Sequence, residues 1–230
     1  LSGLKGKVLA EALVDINRFK KQREEVASFM RRLYERNLTT SKGGNISIRG
    51  DENYFCITPS SLDKSTLNES LIAVVDMDGN KLTSDLNLSI ETLMHRLILK
   101  NNREINCVVH SHSPYATAFG LTNIPININL TGESYLILKN LKRIGYYKMG
   151  TEELAQAVAE SVKTNDVLLL QNHGVLSVGK TLLDAFEKIE VLEYCAKMSF
   201  ITEMLSYKSG SVINTLDESK REELDLNRKL

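Results

Sequence analysis

The sequence predicts a single domain of the α/β or α+β class, and three observations carry that reading. Segments with apolar residues at three- and four-residue steps are interleaved with short alternating or wholly apolar runs, so helices and strands follow one another along the chain. No stretch has the composition of an interdomain linker, and no repeat or low-complexity segment stands out. At 230 residues the chain can bury one sizeable core, so 1–230 is taken as one unit.

The elements follow in order. From Val8 to Asn37 the pattern is helical, with a break near Asn17. Leu9, Leu13, Ile16 and Phe19, then Val26, Phe29, Met30 and Leu33, recur amid Lys, Arg and Glu. Asn37 to Gly44 is a cluster of helix breakers. Alternating strands are expected at Asn45 to Arg49 and Tyr54 to Thr58, joined by a Gly-Asp-Glu-Asn turn. Leu71 to Val75 has the look of a buried strand, and Asp76 to Asn80 of the hairpin turn after it. That turn starts like a calcium loop but lacks the third acidic position and the closing glutamate. Ser89 is expected to cap a helix reaching about Lys100, followed by a strand from Asn106 to His112 and a short helix from Ser113 to Gly120. Tyr146-Tyr147 is placed on a strand. Thr-Glu-Glu opens a helix from Thr151 to Lys163. Strands at Val167 to Gln171 and Val175 to Val178 flank His173-Gly174, and a long helix runs from Leu182 to about Leu205. The tail after about residue 210 is charged and polar, and is expected to be loosely held.

Composition removes several function classes. Basic and acidic residues balance at 29 each, so no charge field favours nucleic acid or an anionic membrane surface. The longest apolar runs, Leu71 to Val75 and Val167 to Leu170, are far too short to span a bilayer. The N-terminus lacks a signal-peptide core, and Cys56, Cys107 and Cys195 are scattered and odd in number. Reduced, buried thiols in a cytoplasmic protein are therefore expected.

Two histidines one residue apart close the run Val108-Val109-His110-Ser111-His112, and His173 follows a second apolar run. Side chains two apart on a strand share a face, so His110 and His112 can grip one ion together. Three imidazoles with an open fourth position form the donor set of a catalytic zinc site. Glu91, at the start of a helix, is favoured there by the helix dipole; beside a metal it could also serve as a general base. His95 lies four residues on among Leu93, Met94, Leu97 and Ile98, and is taken as a packing residue or a neighbour of the site, not a ligand. Gly43-Gly44-Asn45, Thr58-Pro59-Ser60-Ser61 and Ser89 supply small turns, hydroxyls and backbone amides of the kind that hold an anion, which points to a phosphorylated ligand.

Taken together, Gly44-Asn45-Ile46-Ser47-Ile48-Arg49, Ile57-Thr58-Pro59-Ser60-Ser61, Ser89 to His95, Val108 to Ala116 and Asn172-His173-Gly174 resemble the class II aldolase/epimerase family in order and spacing. The resemblance spans roughly Val26 to Leu205. It implies a three-layer α/β/α sandwich around a mainly antiparallel sheet, in a homotetramer with active sites between subunits. It implies one Zn2+ per subunit on His110, His112 and His173, with Glu91 as acid/base. A phosphate pocket from Gly44, Asn45, Ser60, Ser61 and Ser89 is also implied.

The chain departs from the family's pattern in places. Phosphate-binding members commonly carry two serines before the glutamate, and the second is Ile90 here. Where fuculose-type aldolases supply a tyrosine from a neighbouring subunit, this chain has Asn127-Ile128-Asn129, with Tyr135 further on. A glycine-rich segment is replaced by Thr131-Gly132-Glu133-Ser134. The expected activity is zinc-dependent cleavage of a ketose 1-phosphate, of the fuculose 1-phosphate type, to dihydroxyacetone phosphate and an aldehyde. Rival readings are a phosphopentose 4-epimerase or a methylthioribulose-1-phosphate dehydratase on the same metal site. A non-catalytic scaffold would lack the three histidines, and a metallohydrolase would want further carboxylate ligands.

Overall fold

The computed structural model describes residues 15–83 and 85–227. The N-terminal part of the expected first helix, with Leu9 and Leu13, lies outside the described residues. A 3-10 turn at Ile16–Phe19 leads into α1 (Lys20–Glu35), so the break near Asn17 is where regular α-helix has not yet begun.

Seven strands form one sheet: β1 (Asn45–Arg49), β2 (Tyr54–Ile57), β3 (Ala73–Asp76), β4 (Cys107–Ser111), β5 (Leu141–Ile144), β6 (Val167–Leu170) and β7 (Gly174–Gly179). Their spatial order is β3-β2-β1-β4-β7-β6-β5. Every pairing is antiparallel except β5 with β6. The remaining helices are α2 (Thr92–Asn101), α3 (Pro114–Gly120), α4 (Gly132–Leu138), α5 (Glu152–Ser161), α6 (Leu182–Ser209) and α7 (Glu218–Asn227).

The alternation of side chains divides the core in two. Ile46, Cys56, Val74, Cys107, Val109 and Val175 face α1, α3, α4 and α6 through Met30, Leu33, Phe119, Leu138 and Phe186. Phe55, Ile57, Val75, Val108, Leu176 and Val178 face α2 and α5 through Met94, Ile98, Leu154 and Val158. Two separate apolar faces on one sheet make the expected three-layer sandwich.

Several boundaries differ from expectation. Leu71 ends a 3-10 turn, and the strand starts at Ala73. Tyr146 and Tyr147 follow β5 and lie exposed outside any strand. Aromatic residues favour strands only where the sheet packs on them, and nothing in these two cores does so. In the tail, Asp225 on α7 accepts from Tyr135 of α4 and from Lys139 just past its end, and the Leu216 N–H donates to the Asn129 carbonyl. Among the described residues no helix is long and apolar enough to cross a membrane. Cys56, Cys107 and Cys195 are all buried and unpaired.

Candidate active site

The end of β4 and the β6–β7 hairpin build the centre of the site. In register, His110 stands opposite Asn45 on β1 and Leu176 on β7, and it points to the α2 side of the sheet. His112 lies one residue beyond the end of β4. His173 sits on the three-residue loop that joins β6 to β7, where Asn172 takes the left-handed conformation (φ 56°) that Asn tolerates better than most residues. Gly174 is required by crowding: a Cβ there would lie 2.5 Å from the Ser111 carbonyl and 2.9 Å from the His112 ring. Gly44 is left-handed (φ 66°), and a Cβ would come within 2.9 Å of the His110 carbonyl. Both glycines thus bring backbone up to the histidine strand, a reason for Gly44 besides any anion.

The ligand atoms of His110, His112 and His173 all lie within 4.8 Å of one another. Burial pulls the His110 ring down to about 3 despite the nearby Glu91, and it also lowers His112. Neutral imidazole is the metal-binding form. The Nδ1 of His110 lies 2.9 Å from the Val175 carbonyl, which can only accept, so that nitrogen carries the proton and Nε2 is bare. That bare Nε2 faces His112 Nε2 at 3.2 Å and Glu91 Oε2 at 3.3 Å. That contact with His112 is held either by a proton on the His112 Nε2 or by a cation shared between the two nitrogens. Two nitrogens on one tetrahedral ion stand about 3.4 Å apart, given bonds of about 2.1 Å, which this 3.2 Å pair matches. The full set of three spreads to 4.8 Å and would close around an ion by shifts of less than about 1 Å per ring.

Glu91 closes the site from α2. It occupies the N-cap position of that helix, two residues later than the expected cap, because Ser89 instead closes a preceding turn by accepting the Glu91 N–H on its hydroxyl and the Thr92 N–H on its carbonyl. Glu91 is 6% exposed. Its Oε1 lies 2.8 Å from His173 Nε2, and its Oε2 accepts from Asn45 Nδ2 at 2.7 Å. Burial pushes the carboxyl up, but His110, the His173 ring and the Asn45 amide outweigh it and hold Glu91 well below the usual carboxylate range. A buried carboxylate kept ionised beside three imidazoles can exchange a proton with a ligand held there.

The structure brings Asn45, Ser89 and Glu91 together with the three histidines. The Asn45 Nδ2 also lies 3.3 Å from the Ser89 hydroxyl. Ser60 and Ser61 sit on the loop after β2, with their hydroxyls 3.2 Å apart, and the Ser60 N–H donates to the Asn87 carbonyl two residues before Ser89. Ile90 is exposed beside Gly150.

Two residues near the site, Lys64 and Ser47, escaped the sequence reading, whereas His95 is the packing residue or neighbour of the site that was expected. Lys64 is buried, its Nζ donating to the Pro59 carbonyl at 2.8 Å while its backbone N–H reaches the Ser41 carbonyl, so it ties the serine loop to the glycine loop. Burial pulls its ammonium down to about 8. Only a lone lysine in a polar loop marked it. Ser47 and His95 bond each other behind Asn45, at 2.7 Å between Ser47 Oγ and His95 Nδ1. A serine at the same-face position two after Asn45 was the available signal for that pair.

Residues 24–200 match the family described as Class II Aldolase and Adducin N-terminal domain. The chain belongs to this family. It is 37% identical over 181 residues to the L-fuculose phosphate aldolase of Methanococcus maripaludis, covering 77% of this chain and 95% of that protein. It is also 35% identical over 183 residues to the 3-oxo-tetronate 4-phosphate decarboxylase of Haemophilus influenzae, covering 78% and 87%. A solved L-fuculose 1-phosphate aldolase superposes with a TM-score of 0.78 at 28% identity, over 91% of this chain and 97% of the other. The protein is thus an enzyme of the aldolase-type lyases, a family in which metal dependence is general, and its three histidines form a group able to hold a metal.

Proposed function

We propose that this enzyme cleaves a ketose 1-phosphate of the fuculose 1-phosphate type to dihydroxyacetone phosphate and an aldehyde, with zinc held by His110, His112 and His173. The observation that carries the reading is the convergence of one ionised, buried carboxylate on three imidazoles. Zinc in such a site supplies Lewis-acid stabilisation of negative charge on the ketose oxygens. Glu91 handles the proton. In the condensation direction its carboxylate takes a proton from the dihydroxyacetone phosphate carbon that forms the new bond. In cleavage the neighbouring hydroxyl passes its proton to the Glu91 carboxylate, directly or through a water, as the carbon–carbon bond breaks and the aldehyde forms. The protonated Glu91 then delivers it to the carbon left with the electron pair, and the carboxylate is regenerated.

Phosphate binding is assigned to Gly44, Asn45, Ser60, Ser61 and Ser89. Asn45 Nδ2 keeps one N–H on Glu91, and its second makes only a long contact to Ser89, so a phosphate oxygen placed beside Ser89 could share it. The Lys64 ammonium under Pro59 adds positive charge beneath the serine loop. We further read the enzyme as a cytoplasmic homotetramer. Support comes from three unpaired buried thiols and from Phe200, Ile201, Met204 and Leu205, which leave an apolar face of α6 exposed.

The test is incubation of zinc-loaded enzyme with fuculose 1-phosphate and related ketose phosphates, with identification of products. Dihydroxyacetone phosphate and an aldehyde in equal amounts support the proposal. A second reading, decarboxylation of a 3-oxo sugar-acid phosphate, is favoured by the 35% identical decarboxylase. Carbon dioxide release from such a substrate, without aldol cleavage of any ketose phosphate, would replace the first reading with the second.

A further inference from the structure

Behind Glu91 runs a buried polar chain that the proton chemistry above does not use. Asn45 is 4% exposed, while Ser47 and His95 are fully buried. Asn45 presents Nδ2 to Glu91 at 2.7 Å and Oδ1 to His95 Nε2 at 2.5 Å, and His95 Nδ1 meets Ser47 Oγ at 2.7 Å. The direction of each bond follows from the carboxylate, which can only accept. The Asn45 amide nitrogen must face Glu91, so its oxygen faces His95 and needs a donor there. His95 must then carry its proton on Nε2, which leaves Nδ1 to accept from the Ser47 hydroxyl. A flipped Asn45 would set its carbonyl oxygen against the carboxylate at hydrogen-bonding range, two acceptors with no proton between them.

We infer that His95 is a positioning residue, with Ser47 completing its bonds. Donating from Nε2 to Asn45 Oδ1, it locks the Asn45 amide, so that its N–H always points at Glu91. The strands make this possible: Asn45 and Ser47 are two apart on β1 and share the α2-facing side, where His95 on α2 packs over both. A serine and a histidine fully buried in this layer would be costly without partners, and here each satisfies the next. Burial draws the His95 ring down to about 4, against the pull of Glu91, so it stays neutral at neutral pH, as a one-proton relay requires. The inference rests on the reading of Glu91 as the proton carrier.

The test has a spectroscopic arm and a kinetic arm, both on the zinc-loaded enzyme. Nitrogen-15 correlation spectra of the His95 ring should show a proton on Nε2 alone at pH 7, in Ser47→Ala as in the unaltered enzyme, because Asn45 Oδ1 demands a donor there. A proton on Nδ1 alone, or on both nitrogens, in the unaltered enzyme would overturn the inference. In the kinetic arm, His95→Leu should lower kcat for fuculose 1-phosphate by about 10–100-fold with zinc content and KM near normal, as is typical for loss of an outer partner. His95→Gln, whose amide can still donate to Asn45, should recover most of that loss. If Gln is as poor as Leu, His95 only fills space and the positioning role falls. Should the enzyme turn over no ketose phosphate, the reading of Glu91 fails, while the ring spectra still decide the tautomer. Should His95→Leu not fold, His95→Gln and the ring spectra of the unaltered enzyme decide alone.

Discussion

The two faces of β1 and β4 differ sharply although they belong to the same ten residues. On the α1 and α6 side, Ile46, Cys107 and Val109 are buried hydrocarbon and thiol, interchangeable in kind with the rest of that layer. On the α2 side Val108 is still hydrocarbon, but Asn45, Ser47 and His110 are equally buried and polar. A polar group taken into a core without a partner costs about 1–3 kcal/mol, so three adjacent ones would undermine a central strand pair. Each is instead bonded: Asn45 to Glu91 and His95, Ser47 to His95, and His110 to the Val175 carbonyl. The contrast teaches that one face specifies the fold and the other is tolerated because its bonds are complete and directed at the metal-ligand cluster.

Substitutions on the two faces should therefore separate catalysis from stability. The largest effect is expected from His110→Ala, which leaves two imidazoles. Bound zinc and turnover should both be lost, by more than the about 10–100-fold that follows removal of an outer partner, while circular dichroism stays native. Metal analysis of the purified variant checks it, and full zinc occupancy would remove His110 from the ligand set. Glu91→Gln keeps the shape and the Asn45 contact but not the base. Its kcat should fall about 10²–10⁴-fold with zinc retained, and loss of the metal would instead make Glu91 a ligand. Gly174→Ala acts between the two faces, since the new Cβ collides with the Ser111 carbonyl and the His112 ring. A loss of about 1–3 kcal/mol in stability, with weakened zinc affinity in a metal titration, is expected from that overpacking. On the apolar face, Ile46→Val should cost only about 0.5–1.5 kcal/mol in a denaturant melt and leave zinc content unchanged. A matching loss of metal there would erase the distinction between the faces.

Much of the site was legible because its chemistry is written in short local patterns. His110 and His112 share a face by strand period, and Glu91 and His173-Gly174 stand beside clear helix and hairpin signals. What stayed hidden depended on tertiary partners. Helix α4 begins at Gly132 and its cap pairs Thr131 with Ser134, not with the Glu or Gln that usually marks a capping box, so the segment looked like a loop. Strand β5, Leu-Lys-Arg-Ile, is four residues at a sheet edge, too short and too charged to announce itself. In the tail, Asp225 finds Tyr135 and Lys139 some ninety residues earlier, a partnership no local pattern encodes. The link from Asn45 to Glu91 was missed for the same reason: those residues lie on different elements and meet only once α2 is laid over β1.

That β4 and β7 are antiparallel neighbours has a consequence for how the protein matures. In an unfolded chain His110 and His112 can offer an ion two nitrogens, but His173 is distant until the two strands pair. A slip of one residue in that pairing would turn His110 toward the opposite layer and dissolve the triad. An ion held by the three histidines would therefore discriminate between correct and incorrect assembly. At a free concentration one hundred times its dissociation constant, and with negligible hold on the unfolded pair, it would favour the native chain by about 2.7 kcal/mol. Metal capture during refolding should appear in step with sheet completion and not with early helix formation, which makes a metal-sensitive signal a timer for the last long-range contact.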